Sequence, residues 1–119
     1  MARTLSFTGT MTWPLEDGGQ AAKLVVTADL VYTEMLAIEK VYAAPVTDEA
    51  VVLPMASAKF ILLKAVTNDV DVKINGSANA ITLKAGAAFL LIQNDDGAVT
   101  ALTVTTATAP ATLEGYAFA

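Results

Sequence analysis

Asp69 and Asp71 are the residues whose type and spacing come closest to a chemical device. They stand two apart in Asn68-Asp69-Val70-Asp71-Val72-Lys73-Ile74, a run that alternates as a strand does. On a strand, positions i and i+2 share a face, so the two carboxyls would be presented side by side. Paired carboxylates hydrolyse glycosides or hold calcium. The calcium pattern breaks at once: counted from Asp71, the next ligand position is Lys73, a cation where an oxygen ligand belongs. Lys73 continues the same polar face and is expected to neutralise one of the acids. A solvated strand face therefore accounts for the three charges.

Three further acidic pairs read as loop residues. Asp95-Asp96-Gly97 has the composition of a turn, and Glu16-Asp17 and Asp48-Glu49 read as surface loop charges. Gly76 and Gly86 lack the following basic residue and helix start of a phosphate cradle. The chain has no histidine and no cysteine, which removes the commonest proton shuttle, nucleophile and metal ligand. Ser6, Ser57 and Ser77 thus have no imidazole to activate them. No lysine or threonine is singled out as a base or nucleophile. Trp13, Tyr32, Tyr42 and Tyr116 are able either to stack on sugars or to anchor a core or an interface. The expectation is a non-enzymatic chain with no cofactor, no metal and no catalytic residue.

Composition narrows the partners. A net charge of −5 and a single arginine, Arg3, disfavour nucleic acid and anionic membrane surfaces. The longest apolar run, Ala85 to Ile92, is too short to span a bilayer. Met1-Ala2-Arg3-Thr4-Leu5-Ser6 does not open a signal peptide, so the chain is expected to be soluble and made in the cytoplasm. Hydrophobic residues make up 55% of the chain and the mean hydropathy is +0.54. Alanine filling a thin sandwich explains part of that; an oligomer interface is the other explanation.

The elements follow from a two-residue rhythm. Thr4, Ser6, Thr8, Thr10 and Thr12 alternate with Leu5, Phe7, Gly9, Met11 and Trp13, giving one wet face and one apolar face. A second run, Ala22 to Thr33, places Leu24, Val26, Ala28, Leu30 and Tyr32 on one side. Further runs are separated by Pro, Gly and Asn signals, of which Asn75-Gly76 is the strongest. Fifteen threonines and twelve valines, branched at Cβ, favour pleated strands. The fold class expected is all-β, a jelly-roll-like antiparallel sandwich of eight to nine short strands in one domain, 1–119. Residues 1–13 form an N-terminal strand or arm. The one ambiguous stretch is 33–43: Val31, Met35, Ile38 and Tyr42 also fit a helical stripe, so a short helix competes there with a strand.

From Ala58 to Ala119 the hairpins run Lys59-Phe60-Ile61-Leu62-Leu63-Lys64, Val70-Asp71-Val72-Lys73-Ile74-Asn75-Gly76, Ile81-Thr82-Leu83-Lys84-Ala85-Gly86, Phe89-Leu90-Leu91, Val99-Thr100-Ala101-Leu102-Thr103-Val104 and Thr112-Leu113-Glu114-Gly115-Tyr116. This series resembles small β-sandwich structural proteins of tailed bacteriophages, most of all head decoration (cement) proteins. The resemblance implies a homotrimer on the outer capsid surface, bound to the major capsid protein and strengthening contacts between capsomers. It leaves open a tail fibre, baseplate or head–tail role. A carbohydrate-binding module using Trp13 and the tyrosines also remains open. Leu5, Phe7 and Trp13 are the expected assembly residues, with completion of the protomer's own core as the other reading.

Overall fold

A computed structural model describes residues 1–14, 21–86, 89–93 and 99–119. Every regular element among the described residues is a strand, ten in all: β1 (Arg3–Trp13), β2 (Ala22–Tyr32), β3 (Met35–Tyr42), β4 (Val46–Val51), β5 (Phe60–Thr67), β6 (Val70–Ile74), β7 (Ile81–Leu83), β8 (Phe89–Gln93), β9 (Leu102–Thr106) and β10 (Ala111–Phe118). The contacts divide the chain into two compact units, Met1–Thr33 and Glu34–Ala119.

The first unit is a two-stranded antiparallel ribbon. β1 and β2 pair without a bulge over all eleven positions, from Arg3 opposite Tyr32 to Trp13 opposite Ala22. Register keeps Leu5, Phe7, Gly9, Met11 and Trp13 on the same face as Leu30, Ala28, Val26, Leu24 and Ala22. On the other face Ser6 Oγ donates to Asp29 Oδ1 at 2.7 Å, fixing one rung. Pro14 has no N–H to continue the ladder and follows the last residue of β1.

The second unit is an antiparallel sandwich of eight strands. Its sheets have the orders β3-β10-β5-β8 and β4-β9-β6-β7. Successive strands alternate between sheets before returning, the winding of a jelly roll. The expected class is therefore the observed one, with ten strands among the described residues in place of eight to nine.

Ile38, Ile61, Leu63, Leu113 and Ala117 from one sheet meet Val51, Val70, Val72, Leu102 and Val104 from the other in the core. Every second residue of these strands points inward, as the sequence alternation requires. β5 carries the apolar run Phe60-Ile61-Leu62-Leu63 because Ile61 and Leu63 face the core while Phe60, also buried, meets the Phe118 ring edge-on at 5.8 Å.

The helix considered for 33–43 is absent: Met35–Tyr42 is a strand. The ladder to β10 decides it, running from Met35 opposite Phe118 to Tyr42 opposite Ala111. Met35 is exposed while Ile38 and Tyr42 are buried, so the apparent helical stripe is split between two faces of a sheet. The Asn75-Gly76 turn forms as its composition predicts. Both residues have positive φ (52° and 71°), and Ser77 N–H donates to the Ile74 carbonyl at 3.0 Å.

β10 approaches β5 most closely at Gly115. A Cβ there would fall onto the Leu62 carbonyl, 2.9 Å from its carbon and 3.1 Å from Leu63 Cα. Backbone cannot yield as a side chain can. Gly115→Ala is therefore expected to destabilise the sandwich by about 1–3 kcal/mol, a typical overpacking cost. A thermal midpoint equal to wild type by circular dichroism would contradict this.

Candidate functional site

Two regions carry the residues singled out above: an acidic cleft on the sandwich and the apolar face of the ribbon. The cleft, of about 430 Å³, is lined by Asn68, Asp69, Asp71, Thr82, Thr105 and Thr108 among others. Asp69 lies in the turn just before β6 and Asp71 lies within it. Both acids are brought to the same cleft, as their spacing predicts.

Each carboxylate is committed to the β6–β7 hairpin. Asp69 Oδ2 accepts from Lys84 Nζ at 2.8 Å and its Oδ1 from the Ala85 N–H at 3.0 Å. Asp71 Oδ1 accepts from Thr82 Oγ1 at 2.6 Å, directly across the ladder. The hydrogen bond from Lys84, then that from Ala85, holds the Asp69 carboxyl below its ordinary 3.8. A general acid needs the opposite displacement, so Asp69 is set up as a fixed anion that pins a turn.

Lys73 does not neutralise either acid. Its Nζ reaches across β9 to Asp48 Oδ1 on β4, at 2.8 Å. A register shift between Val46 and Glu49 is the reason. It leaves Asp48 with φ of 48°, its N–H donating to Thr105 Oγ1 at 3.0 Å and its carboxylate turned toward Lys73. Asn75, two residues beyond Lys73 at the next position of the calcium pattern, is also occupied. Its Oδ1 accepts from the Thr100 and Ala101 N–H groups at 2.8 and 3.2 Å, tying the turn to the start of β9. Among the described residues no three acids, histidines or cysteines gather as metal ligands would. Asp95-Asp96-Gly97 and Glu16-Asp17 lie outside the described residues.

The aromatic residues separate. Tyr42 is buried in the core, where burial and then Glu49 push its phenol up from 10.0. Tyr116 is 48% exposed beside a hollow of about 280 Å³ whose lining includes Glu39 and Glu114, paired directly across the ladder.

On the ribbon, Leu5, Phe7 and Trp13 share one face, as the alternation requires. Leu5 and Phe7 are half-buried. Toward the β1–β2 connection the face opens: Met11 is 62% exposed, Leu24 50%, Trp13 43% and Val26 41%. What the residues did not reveal is that, among the described residues, β1 and β2 pair with no strand but each other. Two equal runs around Pro14 and Gly18-Gly19 are the signal that marks such a hairpin.

Comparison with family models, curated proteins and solved structures finds no match to this chain.

The Asp69 contacts carry a pH signature. Because the folded carboxyl titrates below its unfolded value, the stabilisation is complete above about pH 5 and is lost as pH falls through 3.8 toward the folded value. Asp69→Asn is expected to flatten the fall in thermal midpoint between pH 6 and pH 3, which melting curves at the two pH values would read. An unchanged slope would refute it.

Proposed function

We propose that this chain is a non-enzymatic structural protein of a tailed-phage virion, a capsid decoration (cement) protein. It acts as a homotrimer on the capsid surface, bound to the major capsid protein and bridging capsomers. One observation carries the reading: the apolar face of a regular ribbon stays open at Met11, Trp13, Leu24 and Val26. An isolated two-stranded ribbon is marginal in water, so such a face gains most from a partner's surface. The hairpin series Ala58–Ala119, with its resemblance to cement proteins, supplies the class of partner. Trp13 is the main anchor, with Leu5 and Phe7 extending the same face.

Light scattering of the pure protein is expected to give a species of about three times 12.3 kDa or a multiple of it, never the single chain. The protein is expected to co-sediment with capsids that lack it. Trp13→Ala should weaken that binding at least about tenfold, the scale of an aromatic anchor. Folded protein that ignores capsids at every ionic strength would end the proposal.

A second reading, a carbohydrate-binding module, is favoured by the exposed Tyr116 ring next to Glu39 and Glu114, the pairing of stacking face and acceptors that sugars use. Glycan binding abolished by Tyr116→Ala, with capsid binding absent, would select it.

A further inference from the structure

We infer that β1 is a self-complementary edge through which two copies of this chain pair about a twofold axis at Thr8. β1 joins β2 on one side, and among the described residues no strand joins it on the other. It is eleven residues long and carries no bulge against β2. No charge and no proline lie between Thr4 and Trp13. Edge strands that stay single are normally blunted by such features, and this one is not.

The residues of β1 also fit their own reverse. With Thr8 on the axis, antiparallel pairing matches all eleven positions of Arg3–Trp13 with those of the second copy. Odd positions meet odd and even meet even, so the apolar and polar faces stay continuous across the junction. On the polar face Thr4 lies opposite Thr12, Ser6 opposite Thr10 and Thr8 opposite its own copy, the hydroxyl pairs that antiparallel sheets favour. On the apolar face Leu5 meets Met11, and Arg3, the chain's one arginine, meets Trp13. That places a guanidinium beside an indole and sets no like charges opposite each other.

Phe7 meets Gly9. Within a single strand the Phe7 ring already lies along Gly9, where an added Cβ would come within 3.3 Å of two ring carbons. With no Cβ on Gly9, only that ring stands opposite the Phe7 of the other copy. The product is a four-stranded sheet, β2-β1-β1-β2, shared by two copies, with the open edge of β1 removed. In a threefold assembly each copy still presents its own β1, so this contact joins one assembly to the next. It does not depend on the capsid reading.

The absence of cysteine makes the register directly testable by disulfide trapping. Thr8 is exposed on the polar face, and Thr8→Cys is expected to cross-link into dimers under mild oxidation. Thr4→Cys and Thr12→Cys are each expected to stay single, since equal positions then lie about 27 Å apart along the strands. The double variant Thr4→Cys/Thr12→Cys should link, joining position 4 of one copy to position 12 of the other. Thr8→Lys, which sets two ammonium groups face to face, should lower pairing at least about tenfold in sedimentation with an unchanged melting curve. The proposal is overturned if Thr8→Cys keeps a reactive thiol and stays single. It is equally overturned if Thr4→Cys links to its own copy as readily as Thr8→Cys does.

Discussion

The sandwich depends on one strand that is hydrogen-bonded on both edges. β10 lies between β3 and β5, and its inward residues Ala111, Leu113 and Ala117 reach the middle of the core. Remove it and β3 loses the only ladder it has among the described residues, while the sheet divides into a single strand and the β5–β8 pair. Gly115 permits this arrangement by letting β10 come against the Leu62 carbonyl. Space for one missing methyl group thus conditions the closure of the whole unit.

The polar side chains follow from the same economy. A sandwich with short strands has many turns, and each turn leaves backbone groups that must find partners. Asp69 takes the Ala85 N–H, Asn75 those of Thr100 and Ala101, and Asn68 Nδ2 donates to the Pro110 carbonyl at 2.7 Å. Thr105 and Thr106 accept from Asp48 and Val46 where the β4 register slips. The residues most suggestive of chemistry are therefore the ones that hold the loops. An Asp or Asn in such a chain has two natural employments, and local hydrogen bonding takes most of them here.

Alternation along β1, β2 and β6 was legible because each side chain's face depends only on its position along a single strand. The Asn75-Gly76 turn was legible for a similar reason: positive φ at two successive residues is a local demand that few residue types meet. Met35–Tyr42 was ambiguous because its strand character comes from β10, some seventy positions away, and no local feature reports that. Lys73 was misjudged on the same ground. Its partner, Asp48, is presented by a register shift in another strand, which leaves no trace near residue 73. The shared face of Leu5, Phe7 and Trp13 could be read directly, whereas the pairing of β1 with β2 alone could not.

The order of strands along the chain also governs synthesis. β1 and β2 are neighbours joined by a short connection, so their ladder becomes available as soon as residue 32 is made. β3 and β5 must wait for Ala111–Phe118, made after both of them, before their shared sheet can close. Nascent chains on one messenger would then carry both ribbon strands ahead of an unfinished sandwich, and neighbouring ribosomes would bring those strands close together.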